Sequence, residues 1–230
     1  MKKQGLFITF EGGEGSGKST QIKTIASLLS AELSADGHQP VTTREPGGTP
    51  EAEKIRHLLV HRDGGNWTPM AEILLFFAAR NMHVEQLIKP ALAAGNIVIC
   101  DRFTDSTRAY QSYGHGIEPD IIESLVQLTL GGFEPDMTFI LDIDSAAGLA
   151  RSGKRLQAEQ SGEDRFEALD IAFHEKLRHG YLEIAARYPE RCHVIDAAQT
   201  PDAVTKDIMA IIGDALAGEG TATSGEGAAT

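Results

Sequence analysis

Several residue types are scarce in this sequence. Of 230 residues, two are cysteine, one is tryptophan and 6% are aromatic. Two thiols exclude a disulfide framework, and they show no metal-site spacing. Cys100 ends an apolar run and Cys192 precedes another, so both read as core or near-core thiols. No apolar run approaches the roughly 20 residues needed to span a bilayer. The opening Met1-Lys2-Lys3-Gln4 leads straight into a strand-like segment, with no signal peptide evident. The expectation is a chain without a membrane partner, in a reducing cytoplasm. Positive charge is also short: 21 Lys and Arg stand against 33 Asp and Glu, a net charge of −12. A negative field repels polynucleotides, so no nucleic-acid partner is expected. There is no internal repeat. Length is sufficient: a chain of this size buries roughly 70% of its unfolded surface.

Glycine is plentiful, and one cluster of it organises the rest. Gly12-Gly13-Glu14-Gly15-Ser16-Gly17-Lys18-Ser19 fits G-x-x-x-x-G-K-[ST], the phosphate-binding P-loop. The run before it, Leu6-Phe7-Ile8-Thr9-Phe10, is apolar and β-prone. The run after it spaces Ile22, Ile25, Leu29 and Leu33 as a helix does. Glycines between a strand and a helix let several N–H groups point inward, and the helix N-terminus adds partial positive charge. Lys18 would reach the β/γ-phosphates of a nucleoside triphosphate and the Ser19 hydroxyl would hold Mg²⁺.

Strand-like runs recur at 40–43, 96–100, 137–142 and 193–196, alternating with helical stretches. Thr68-Pro69 supplies an N-cap and first-turn pair for a long helix closing near Gly95, with Pro90 bending or ending it. This alternation predicts a five-stranded, mostly parallel α/β sheet with helices on both faces. Residues 1–217 read as one domain. The polar, poorly periodic segment at about 151–165 reads as a mobile lid. The last helix is expected over 201–216, and residues 218–230, which carry no large apolar group, as a disordered tail.

Ligands of such sheets lie at the carboxyl ends of the strands. The P-loop, Arg44-Glu45 and Asp101-Arg102 all fall there. Asp101 can hold Mg²⁺ beside the P-loop, or simply cap the next helix. Arg102 falls between two candidate phosphate sites. Phe76 and Arg80 share a helix face, while Phe77 belongs to the core with Ile73 and Val84. From spacing alone, the first pair reads as a core Phe and a surface Arg. Arg151, Lys154, Arg155 and Arg165 could close over phosphates from the lid. The histidines show no repeated ligand spacing, Trp67 reads as a helix-start packing residue, and Asp136, Asp142 and Asp144 as caps or solvated charges.

Taken together, the motifs resemble the bacterial thymidylate kinases, which phosphorylate dTMP with ATP on the route to dTTP. The matching pieces are Phe10-Glu11-Gly12 through Ser19-Thr20, Thr43-Arg44-Glu45-Pro46-Gly47-Gly48-Thr49, Phe76-Phe77-Ala78-Ala79-Arg80, Asp101-Arg102-Phe103, Asp105-Ser106-Thr107-Arg108-Ala109-Tyr110-Gln111, Pro135-Asp136 and Asp164-Arg165-Phe166-Glu167. They run in the family's order over about residues 5–215. The resemblance implies that Phe76 stacks on thymine and that Arg80 and Arg102 hold the dTMP phosphate. Thr107 would bond the base edge, with Gln111 close by. Glu14 would approach the sugar 3′-hydroxyl and Tyr110 the 2′ carbon. Glu45, before a cis Pro46, and Arg56 would line the same pocket. It further implies a lid-type catalytic arginine, assigned to Arg155 alongside Lys18 and Arg102, and a homodimer. A departure is Phe103, where the family often has Tyr or His.

The expected reaction is in-line attack of a dTMP phosphate oxygen on the ATP γ-phosphorus, with no general base because that oxygen is already anionic. Another P-loop small-molecule kinase, such as a deoxynucleoside kinase, would need a carboxylate base. A non-catalytic nucleotide-binding regulator would not need the complete set of cations.

Overall fold

A computed structural model describes residues 5–33, 39–61, 63–159, 165 and 169–221, with backbone only for residues 33, 154–159 and 218–221. Five strands form one sheet: β1 (Phe7–Glu11), β2 (Val41–Arg44), β3 (Val98–Asp101), β4 (Met137–Asp142) and β5 (Cys192–Asp196). Their order is β2-β3-β1-β4-β5 and every pairing is parallel. Parallel neighbours need crossovers, and the helices between strands supply them. β1 lies in the middle, so the P-loop that follows it opens at the centre of the carboxyl edge. Its five residues are all buried, as expected of a strand covered on both faces.

Helix α1 (Lys18–Leu33) packs on one face through Ile22, Ile25 and Leu29, with Ile208 and Ile212 of α9 (Pro201–Thr221) beside them. The opposite face carries Phe7, Val98 and Phe103 under Ile73, Phe77 and Val84 of α3 (Pro69–His83). Phe77 is core, as its spacing indicates. Thr68 caps α3 by accepting from Ala71 N, and Pro69 begins it. The long helix expected to bend or end near Pro90 instead passes through a π turn over Val84–Ile88, leading into α4 (Lys89–Ala93). Pro90 has no N–H to give; in the turn before it, Lys89 N bonds Val84 O, five residues back. A second π turn, Arg108–Gly114, extends the short α5 (Thr104–Thr107). Helices α2 (Pro50–Val60), α6 (Pro119–Leu130) and α8 (Ile171–Arg187) complete the layers.

Two expectations need correction. The segment read as irregular from residue 151 continues a helix, α7 (Ser145–Glu159). It is held at its base: a Cβ on Gly15 would meet Gly148 O at 1.9 Å, so α7 starts directly against the P-loop. The last helix runs to Thr221, beyond the expected end at 216, so residues 218–221 are helical where a disordered tail was expected; residues 222–230 lie outside those described. Both cysteines are free and buried. Trp67 packs at a helix junction, its Nε1 donating to Leu58 O. Asp136 accepts from Phe7 N, Asp144 from Ala147 N, and Asp142 pairs with Arg178.

Candidate active site

The glycine-rich loop between β1 and α1 borders a cleft of about 1470 Å³. That exceeds the roughly 300–1,000 Å³ of a pocket for one small ligand, so the cleft has room for more than one. Glu14, Gly15, Ser16, Gly17, Lys18 and Ser19 form one wall. Positive φ values at Gly12, Gly15 and Gly17 turn the loop's backbone in ways an L side chain resists. Lys18 Nζ donates to Gly12 O and Gly13 O at 3.0 and 2.9 Å. Burial, and then the neighbouring Arg102, lower its pKa to about 8. Ser19 Oγ donates to Asp101 Oδ2 at 3.3 Å, while Asp101 Oδ1 is buried with no hydrogen-bond partner. A buried, unpartnered carboxylate oxygen beside a hydroxyl is a donor set suited to a hard divalent cation, which fits Mg²⁺.

Arg102 directly follows β3 and has φ 71°, the one positive φ of a non-glycine residue among those described. Such backbone is costly and persists where surroundings enforce it. The enforcement here comes from Glu11. Its carboxylate accepts from Phe103 N at 2.7 Å, Ser106 N at 3.2 Å, Ser106 Oγ at 2.6 Å and Tyr181 Oη at 3.1 Å. Burial and the Asp105 carboxylate push Glu11 up to about 7, against the Ser106 hydroxyl, Arg102 and Phe103 N, which pull it down. The turn aims the Arg102 guanidinium back at the P-loop, where it bonds Gly12 O at 3.2 Å and Glu14 Oε1 at 2.7 Å. Tyr110 Oη donates to the same Glu14 oxygen at 2.6 Å, and Arg102 lies over its ring at 5.1 Å.

On the far side stand Phe76, Arg80, Thr107 and Gln111. Arg80 is 2% exposed. Its Nε donates to Glu45 Oε2 at 2.6 Å, one terminal nitrogen to Thr107 Oγ1 and the other to Phe103 O, both at 3.1 Å. Glu45 Oε1 also meets His83 Nδ1 at 3.0 Å, and His83 Nε2 meets Thr43 Oγ1 at 2.7 Å. The Glu45–Pro46 peptide is cis, and Arg56 donates to Pro46 O. Gln111 Nε2 donates to Glu72 Oε1, whose other oxygen accepts from Arg165 at 2.6 Å. A second bond joins Arg165 to Leu59 O, so this one residue is tied to both α2 and α3. Arg151 lines the cleft and donates to Ala197 O. The side chain of Arg155, the expected lid arginine, lies outside the described residues.

Glu14, Glu45, Arg56, Phe76, Arg80, Arg102, Thr107, Tyr110 and Gln111, each singled out from the sequence, therefore border one cleft with Lys18, Ser19 and Asp101. Glu11, Ser106, Tyr181, Glu72 and His83 support it and had no assigned role. A charged residue closing a buried strand was a signal for Glu11. Glu72 and Tyr181 carry no local signal, because their partners come from distant segments.

A parallel sheet with a P-loop at its central strand, a lysine and a carboxylate at its cation side and an arginine-lined second compartment defines a P-loop phosphotransferase. Comparison with known proteins narrows this. The family described as thymidylate kinase matches residues 10–208. A thymidylate kinase of Caulobacter vibrioides is 51% identical over 209 residues, covering 91% of this chain and 96% of that one. One of Cereibacter sphaeroides is 46% identical over 217 residues, covering 94% and 98%. The crystal structure of thymidylate kinase from Ehrlichia chaffeensis matches with TM-score 0.73 at 36% identity, covering 91% of this chain and 99% of that chain. The chain belongs to the thymidylate kinase family.

Proposed function

We propose that this enzyme transfers the γ-phosphoryl group of ATP to dTMP, giving dTDP and ADP. The observation that carries this reading is the shared cleft: Phe76, Arg80 and Arg102 line the same cavity as Lys18 and Ser19. Two polyanions must be brought together, and the reaction is mostly positioning and charge neutralisation. Lys18 and the loop N–H groups cradle the ATP phosphates. Arg102, fixed by Gly12 O and Glu14, faces the junction and binds the dTMP phosphate. Phe76 stacks on thymine, Thr107 and Gln111 meet the base edge, and Arg80 holds Thr107 and Glu45 in place while reaching toward the monophosphate. Tyr110 and Glu14 close the sugar end. Arg56 and Glu45 line the remaining wall.

Ser19 and Asp101 would hold Mg²⁺, which in this chemistry neutralises charge on the β- and γ-phosphates. The attacking dTMP oxygen carries its own charge, so no side chain acts as general base. Arg155, on the lid of about 151–165, supplies a further cation in the closed state. The working form is a homodimer in the cytoplasm. A panel of nucleoside monophosphates assayed with ATP tests the assignment. Release of ADP with dTMP, and far less with thymidine or with AMP, GMP and CMP, is expected. Turnover of thymidine in place of dTMP would make it a nucleoside kinase, and ATP binding without dTMP-dependent ADP release would make it a regulator.

A further inference from the structure

Outside the residues that line the cleft, the end of α2 brings together three metal-ligating side chains that the phosphotransfer chemistry does not use. His57 and His61 are four residues apart, one helical turn, so their imidazoles emerge on the same face. The rings stack with centroids 4.3 Å apart. Asp63 follows in the turn beyond the helix, its Oδ1 3.5 Å from His61 Nδ1. One ligand atom from each residue lies within 4.8 Å of the other two. Along the sequence the histidines show no repeated ligand spacing, yet His57 falls in the last turn of α2 and His61 caps its C-terminal end.

We propose that His57, His61 and Asp63 form a surface site for a borderline divalent transition-metal ion, Zn²⁺ in the first instance. Two imidazoles and one carboxylate, with room for water, are the ligands such ions prefer, whereas Mg²⁺ favours oxygen alone. In a tetrahedral site with Zn–N near 2.0–2.1 Å, ligand atoms stand roughly 3.3 Å apart. Reaching that from the observed separation takes up to about 1.5 Å of approach. One imidazole must also turn out of the stack, so that both rings hold the ion in their own planes. Rotamer changes at these surface side chains supply both. The backbone beneath is already fixed. Leu58 O is held by Trp67 Nε1, Leu59 O by Arg165 and His61 O by Gly64 N, so the last turn and the loop carrying Asp63 are tied from outside the helix. The ion would also sit at a helix C-terminus, the end whose partial charge is negative.

The test is isothermal titration of the metal-free full chain with Zn²⁺ in millimolar Mg²⁺, which occupies oxygen-only sites. One Zn²⁺ bound per chain is expected, with affinity falling at least tenfold in His57→Ala and in His61→Ala, and less in Asp63→Asn. All three side chains lie at the surface, and unchanged circular dichroism checks that each variant folds. Histidine ring resonances of residues 57 and 61 should shift on titration. If the chain binds no Zn²⁺, or the double variant His57→Ala/His61→Ala binds it with unchanged affinity and stoichiometry, the proposal fails.

Discussion

Replacing Glu45 by alanine should destabilise the protein more than most substitutions do, because of what it leaves behind. The Glu45 carboxylate is 3% exposed and bonds Arg80 at 2.6 Å, itself 2% exposed, and His83 at 3.0 Å, which is fully buried. Truncating one partner of such a pair strands the other charge, which costs about 3–5 kcal/mol. For a domain of this size each kcal/mol moves Tm by about 2–4 °C, so a fall of roughly 6–20 °C follows. Urea unfolding of the wild type, Glu45→Ala, Arg80→Met and the double variant isolates the pair. Removing both groups takes away the stranded charge, so the double variant should be more stable than the sum of the single losses by about 2 kcal/mol. Because Arg80 also grips Thr107 and Phe103 O, the dTMP KM should rise in Glu45→Ala even where the protein stays folded. A loss below about 1 kcal/mol with additive singles would refute the reasoning, since a buried cation would then lack nothing when its partner is gone.

Phe76→Ala should raise the dTMP KM by about 5–150-fold while leaving the ATP KM near normal, as base stacking on an aromatic ring is worth about 1–3 kcal/mol; an unchanged dTMP KM in steady-state assays would remove the stacking role. Arg102→Ala should cut turnover by orders of magnitude with the fold intact by circular dichroism, and near-normal kcat would count against its position at the phosphate junction. Lys18, lowered to about 8 chiefly by burial, is partly neutral above that pH, and an incoming anion favours its charged form. ATP binding should therefore take up more protons near pH 8.5 than near pH 7, measured by calorimetry in buffers of different ionisation enthalpy; equal uptake at both would refute this. Glu11→Gln keeps the size of the side chain but offers an amide where Ser106 and Tyr181 donate, so kcat should fall more than either KM as the Arg102 turn loosens.

The primary structure by itself determined the P-loop, the alternation of strands and helices and the assignment of Phe77 to the core. These rest on local rules: glycine conformations, two periodicities and helix caps. It also placed Asp101 and Arg102 at the end of a buried strand, where ligands gather in parallel sheets. It misjudged 151–159, since a charged, weakly periodic run can still be helical when its first turn packs on a rigid loop. Only the tertiary structure decided the strand order, and with it that residues 11, 106 and 181 meet behind the Arg102 turn. Spacing left Phe76 as a core residue, yet the packing of α3 turns it toward the cleft and Phe77 toward the sheet. The pairs that aim the site's arginines join segments up to 170 residues apart. No local pattern encodes such partners: a buried charge finds its counterpart through the register of a sheet, and that register exists only once the chain has folded.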